Sequence, residues 1–208
     1  MMRKIVCCMA AGLLLLAAAW GQTPEEIVAR MEKSLEPAES QGLSMAIDFK
    51  IPIIGTSTTQ VYILGGKTRS ETRILGHELV TFSDGVTDWE YDSFKKELTI
   101  GKAKPAEKAD GSEAEMFEGI TEGYDVSLQK ETADAWHLRC KKNKNNPEKD
   151  APDRMDLVVS KKNHLPISLT AKIEGIKIVL HDLAVGVDPA KVTFRMEDYP
   201  GAKIIDKR

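Results

Sequence analysis

The sequence predicts a mainly β fold with some helix (α+β): an incomplete antiparallel β-barrel of about 11 strands, capped by an amino-terminal helix and a short lid helix. Two observations carry this prediction. From Leu43 onward, apolar and polar residues alternate with a period of two, and turn residues separate the runs. Helical patterns occur in two segments, too few to cover the apolar face of so large a sheet, which therefore has to curl on itself.

The first 21 residues are predicted to be a secretory signal peptide. Arg3 and Lys4 precede an apolar run at residues 5–18, and Ala19 and Gly21 are small residues at the positions that a signal peptidase inspects. The run is shorter than the about 20 apolar residues of a membrane span, although an uncleaved anchor is the alternative. We expect a periplasmic protein with a single domain at residues 22–208.

The charge and cysteine content exclude some classes of protein. The chain has 29 lysines and arginines against 32 aspartates and glutamates, and loss of Arg3 and Lys4 would make the net charge −5. Such a balance argues against nucleic acid as a partner, because that affinity comes largely from cationic contacts to phosphates. Loss of Cys7 and Cys8 leaves Cys140, so no intramolecular disulfide can form. Cys140 shares a strand face with Trp136 and Leu138, which predicts a buried, inert thiol.

The amino-terminal helix has a complete start signal. Thr23-Pro24-Glu25-Glu26 combines an N-cap hydroxyl, a proline at the first helical position and a glutamate three residues after the threonine. Apolar residues then recur at helical spacing until Pro37 stops the run. The result is an amphipathic helix of about three turns.

The strand pattern is organised around residues 77–100. Asp84-Gly85 is a hairpin signal between two runs, and Trp89 and Tyr91 share one side of the second run while Asp88, Glu90 and Asp92 share the other. Residues 112–117 are predicted to form the short lid helix. The twelve strand candidates, of which one or two are expected to merge or fail, are 43–51, 56–64, 67–75, 77–82, 86–92, 97–100, 124–130, 135–141, 155–160, 165–174, 176–183 and 192–196.

The sequence contains no pattern that indicates catalysis. The four histidines are scattered with no metal-ligand spacing, and there is no nucleophile elbow, Walker loop or dinucleotide fingerprint. The row Asp88, Glu90 and Asp92 could serve a glycosidase or bind calcium, but the alternation favours the solvated face of a strand. We expect no enzyme activity, no cofactor and no metal.

Two motifs carry a resemblance to a known family. Ser83-Asp84-Gly85 followed by Thr87, Trp89 and Tyr91 is similar to the pattern S-D-G-x-x-x-W-x-Y. The carboxyl end, with Lys191-Val192-Thr193-Phe194 and then the segment 200–206, is similar to a terminal K-F-x-F followed by P-x-G-V-x-V-x-D. With both helices in the matching places, nearly the whole mature chain resembles the periplasmic lipoprotein-carrier family, the LolA-like proteins.

The resemblance implies a half-barrel that shelters the acyl chains of a lipoprotein, or another lipid, on the way to the outer membrane. It also implies an inner-membrane ABC transporter and an outer-membrane receptor as partners, and no cofactor; we expect a monomer. One departure concerns an arginine followed by proline that latches the lid after the second strand of family members. Here that place has Leu64-Gly65-Gly66-Lys67, and the next arginine is Arg69.

These expectations define a candidate site. The apolar interior is predicted to be lined by Met45, Ile47, Phe49, Val61, Ile63, Trp89 and Tyr91, with a lid that contributes Ile27, Met31, Met116 and Phe117. Composition alone favours an alternative in which the inward side chains simply fill a core. The competing function is a regulatory envelope protein of the same fold that binds a protein partner through its surface.

Overall fold

One large sheet dominates the computed structural model, which describes residues 22–103, 117 and 119–208. The predicted signal peptide, Met116 and nearly all of the predicted lid helix lie outside the described residues. Among the helices that are described, none is long and apolar enough to cross a membrane.

The amino-terminal helix forms as its sequence predicts. Helix α1 spans Pro24–Leu35, and its capping box is present: the Thr23 hydroxyl accepts from the Glu26 amide at 3.2 Å, while the Glu26 carboxylate accepts from the Thr23 amide at 3.2 Å. A one-turn helix, α2, follows at Ala38–Gln41. Gly42 then has φ of 81°, and a Cβ there would lie 2.5 Å from the Ile63 carbonyl oxygen, so the turn into the sheet needs glycine.

The sheet has twelve strands in the order β12-β6-β5-β4-β3-β2-β1-β11-β10-β9-β8-β7. Neighbouring strands are antiparallel, except that β12 is parallel to β6. The two ends of the order do not pair with each other, so the sheet is an open half-barrel. The strands are β1 Leu43–Ile51, β2 Gly55–Leu64, β3 Lys67–Ile74, β4 His77–Ser83, β5 Thr87–Asp92, β6 Glu97–Lys102, β7 Tyr124–Glu131, β8 Ala135–Lys142, β9 Arg154–Ser160, β10 Pro166–Ile173, β11 Ile176–Val185 and β12 Lys203–Asp206.

The prediction of a mainly β half-barrel is confirmed, and eleven of the twelve strand candidates correspond to β1 to β11. The candidate at 192–196 is wrong. That segment is extended at Thr193 and Arg195 but lies between two short 3-10 helices, Pro189–Val192 and Met196–Asp198, and pairs with no strand. The strand β12 was not predicted.

Two apolar clusters form the core between α1, α2 and the sheet. In the first, Ile27 and Met31 of α1, both fully buried, pack on β8 and β9 through Trp136, Leu138 and Leu157. The second contains Leu35, Ala38, Leu43, Met45 and Phe117. The helices therefore cover this face of the sheet from β7 to β2.

Candidate ligand-binding face

The sheet has two faces with different chemistry, and strand pairing assigns each residue to one of them. Residues directly opposite on neighbouring strands point to the same face. We call the face under α1 the helix face and the opposite one the tail face. On the helix face, Phe49 of β1 pairs with Ile178 of β11, which pairs with Ala171 of β10. The apolar rows of the helix face continue through Leu180, Leu169, Met155, Leu157, Leu138 and Cys140.

Burial along β1 falls with distance from the helices. Leu43 and Met45 are 0% and 1% exposed, because α1, α2 and Phe117 cover them. Ile47 and Phe49, further along the same face, are half-buried. The neighbouring Ile178 of β11 is half-buried too. An apolar surface thus continues beyond the helices toward the far end of β1 and β11.

Five of the seven predicted lining residues lie together on this surface. Met45 pairs with Val61 and Leu43 with Ile63, so Met45, Val61 and Ile63 share the helix face with Ile47 and Phe49. Met45 itself is fully buried in the core, and Ile47, Val61 and Ile63 pack against the cluster that contains it. Sequence reasoning missed Ile178, Leu180 and Leu169, although the alternation in β10 and β11 was its signal.

Trp89 and Tyr91 do not line this surface, so their place in the predicted interior is wrong. The pairs Trp89 with Phe82, Phe82 with Arg69, Arg69 with Tyr62 and Tyr62 with Ser44 put Trp89 on the tail face. The physical reason is that the side chains on the helix face are apolar up to β2 and polar beyond it. There it presents hydroxyl groups from β3 and then Asp88, Glu90 and Asp92 from β5.

The predicted lid residues are placed in part. Ile27 and Met31 face the sheet from α1, but they pack on β8 and β9 rather than over Phe49. Phe117, 2% exposed, contacts the cluster around Leu43. Met116 lies outside the described residues.

The carboxyl-terminal segment covers the part of the tail face that holds Trp89. We call residues 186–202 the strap. Within it, the Phe194 ring stacks on Trp89 with centroids 4.9 Å apart and planes at 12°, and it meets Phe82 edge-on at 5.6 Å. Tyr199 contacts Tyr91 at 4.7 Å, and burial raises the pKa of the Tyr199 hydroxyl. The two motifs that carry the family resemblance therefore pack on each other.

Arg69 contacts the strap. Its guanidinium lies 4.9 Å from the Phe82 ring, pairs with Glu71 at 2.6 Å and donates to the Lys191 carbonyl oxygen of the strap at 3.4 Å. It is on the tail face, so it does not contact α1. Next to the strap the tail face has a polar hollow of about 630 Å³, whose lining includes Thr58, Gln60, Tyr62, Glu71 and Arg73.

Cys140 is buried, as predicted. Its side chain is 0% exposed on the helix face, and burial raises the pKa of the thiol to about 11. A neutral thiol in an apolar cluster is a packing group.

Comparison with known proteins supports the fold. No family model and no curated protein matches the chain. Among solved structures, LprF from Mycobacterium bovis is similar with a TM-score of 0.52 and 7% identity, over 84% of this chain and 99% of that one. A LolA superfamily protein from Nitrosomonas europaea has a TM-score of 0.33 and 13% identity, over 84% and 99%. The Pseudomonas aeruginosa MucA/MucB complex has a TM-score of 0.41 and 14% identity, over 83% and 62%.

These findings define the class of protein by its architecture. The chain is an open half-barrel with a helix packed on one face, and LprF has a similar fold. At such low identities the likeness to solved structures concerns the fold and not the function.

Proposed function

We propose that this protein is a carrier of the cell envelope that shelters the acyl chains of a lipoprotein, or of another lipid, on the helix face. One observation carries the proposal: the apolar surface of this face continues past the helices. Ile47, Phe49 and Ile178 are half-buried there, whereas Leu43 and Met45 beneath the helices are buried completely. Binding by burial needs no reacting group and no cofactor.

The energetics suit a ligand that has to be both held and released. Each methylene removed from water gains about 0.8 kcal/mol, so about eight sheltered methylenes give about 6 kcal/mol before the entropic cost of binding is subtracted. That gain is enough to keep an acyl chain out of water, and it is small enough for transfer to a membrane or to a second carrier.

The polar half of the helix face suits the rest of such a ligand. Beyond β2 the face presents Ser70 and Thr72 of β3 and then Asp88 and Glu90 of β5. An amphiphile fits a surface on which apolar and polar halves lie side by side, because each part meets groups of its own polarity. A simple hydrocarbon would use the apolar half alone.

Native mass spectrometry of the mature protein purified from its own cell envelope tests the proposal, with lipid analysis of an organic extract. Two adjacent residues of β11 supply a matched pair of variants. Ile178 is on the helix face and Val179 on the tail face, and both are half-buried. We expect an acylated ligand on the wild type and on Val179→Asn, and little or none on Ile178→Asn.

Circular dichroism and urea unfolding should show both variants folded under the binding conditions. A wild-type protein that carries no ligand and binds no acylated peptide would contradict the carrier function. The competing function, a regulatory envelope protein, would then be tested by capture of protein partners.

A further inference from the structure

One rim of the sheet carries exposed apolar side chains at the tips of its hairpins. The turns β1–β2, β3–β4 and β5–β6 lie at the same end of the sheet, because these strands form an antiparallel meander. We call this end the hairpin rim. Exposure there is 107% for Ile53, 52% for Ile54, 75% for Leu75 and 72% for Phe94. Four large apolar side chains on successive tips are more than scattered surface residues.

Two of these residues adopt a backbone conformation that disfavours them. Ile53 has φ of 72° and Leu75 has φ of 50°, in the left-handed region where β-branched or bulky residues are outliers. Leu75 precedes Gly76 at φ of 80°, and two such residues make the tight hairpin turn that favours asparagine, aspartate or glycine first. At the opposite rim the β2–β3 turn is Gly65-Gly66. Ile53 and Leu75 therefore cost folding free energy, while Ile53 buries no surface in return and Leu75 only about a quarter of its own.

Basic residues form a row across the tail face close to the same rim. Lys50 of β1 is directly opposite Lys177 of β11, which is directly opposite Lys172 of β10. All three are exposed. The row continues with Arg154 of β9 opposite Lys141 of β8, so it spans five strands, or about 19 Å. We call these five residues the basic row.

The basic row also lowers the stability of the folded state. Like charges directly opposite each other on neighbouring strands are destabilising. Arg154 is neutralised in part by Asp156 at 2.7 Å, while Lys50, Lys172 and Lys177 lie side by side. An anionic surface as wide as several strands would be a favourable partner for the whole row.

We propose that the hairpin rim docks on an anionic lipid bilayer. The apolar tips enter the interface between headgroups and acyl chains, and the basic row contacts lipid phosphates, with the lysine stems able to reach along the surface. A bilayer fits better than a folded protein, because the apolar side chains stand on separate protruding tips beside a broad cationic band. The docking goes beyond the proposed carrier function, because it requires no ligand on the helix face.

Co-sedimentation of the ligand-free mature protein with vesicles tests this inference. We expect binding to vesicles that contain phosphatidylglycerol, weak binding to vesicles of phosphatidylcholine alone, and a decrease in binding as salt is added. The variant Ile53→Asn/Leu75→Asn should bind at least about tenfold more weakly. Its unfolding midpoint should equal or exceed that of the wild type, since asparagine tolerates positive φ. Weaker vesicle binding together with an unchanged or higher unfolding midpoint would distinguish a docking role of these two residues from a structural one.

The variant Lys50→Gln/Lys177→Gln should bind phosphatidylglycerol vesicles about 25-fold more weakly, at about fivefold per lysine, and with a shallower salt dependence. Matched controls lie at the opposite rim. Val86, 75% exposed in the β4–β5 turn, gives Val86→Asn, and Lys67 and Lys162 give a double glutamine variant. Both controls should bind as the wild type does.

Failure of the wild-type protein to bind phosphatidylglycerol vesicles at low salt would overturn the inference. So would rim variants that bind no more weakly than the opposite-rim controls. Self-association of the wild type that Ile53→Asn abolishes would assign the rim to a contact between two copies of the chain, and would overturn it as well. None of these outcomes bears on lipid recovery from the helix face, so the two proposals fail separately.

Discussion

The ring stack between the strap and the tail face can be tested quantitatively through Phe194→Ala. Phe194 is half-buried, so its burial contributes about 1 to 1.5 kcal/mol, half the value of a fully buried aromatic side chain. Its ring pairs with Trp89 and Phe82 add about 0.5 to 1.5 kcal/mol each. The free energy of unfolding should therefore fall by about 3 kcal/mol, measured by urea denaturation and circular dichroism.

Phe94→Ala is the matched control. Phe94 is 72% exposed and has an edge contact with His77, so its truncation should change the free energy of unfolding by less than about 0.5 kcal/mol. A double-mutant cycle of Trp89→Ala with Phe194→Ala should give a coupling of about 1 kcal/mol. Additive losses, or a loss below about 1 kcal/mol for Phe194→Ala, would refute the stacked strap and with it the assignment of Trp89 to the tail face.

Three further predictions concern the core, the thiol and the β4–β5 hairpin. Met31→Ala should cost about 3 kcal/mol of unfolding free energy, because Met31 is fully buried against β8 and β9; a loss under about 1 kcal/mol in urea would contradict the helix packing. Cys140 should resist a chromogenic disulfide reagent at pH 8 until denaturant is added, since its pKa is about 11; rapid labelling of the native protein would exclude its burial. Asp84→Ala should cost about 1 kcal/mol at pH 7, because the Asp84 carboxylate accepts from the amides of Val86 and Thr87 at 2.9 and 2.7 Å. Those bonds lower its pKa in the folded state, so the contribution is present at neutral pH and is lost as the pH falls below about 4; a difference from wild type that persists at pH 2 would contradict this cause.

The sequence predicted the strands well because alternation reports which backbone is extended. It could not predict which face of each strand points to the helix. In β1 the apolar side faces α1, and in β5 the apolar side with Trp89 faces away from it. The inversion arises in β3, where Ser70 and Thr72 alternate with Arg69, Glu71 and Arg73 and neither side is apolar. Only the pairing across β2, β3 and β4 reveals it.

The carboxyl end shows a second limit of the pattern. Val192, Phe194 and Met196 alternate as in a strand, and the backbone between them is extended. Phe194 packs on the Phe82 and Trp89 rings and Val192 is buried, whereas Met196 is 40% exposed, so the alternation records partial one-sided burial and not sheet pairing. The true last strand, β12, has four residues, which is too short for an alternation to be recognised.

The contact between Phe194 and Trp89 also limits what can be concluded from the two resemblance motifs. The Trp89 motif and the terminal motif act together as an internal clasp on the side of the sheet away from Ile47 and Phe49. Such a clasp contributes to the folding of the chain itself, because it packs aromatic rings of the carboxyl-terminal segment on the sheet. Detection of both motifs in another sequence therefore indicates the architecture, and whether that protein binds a ligand on the helix face has to be inferred from the residues at the positions of Ile47, Phe49 and Ile178.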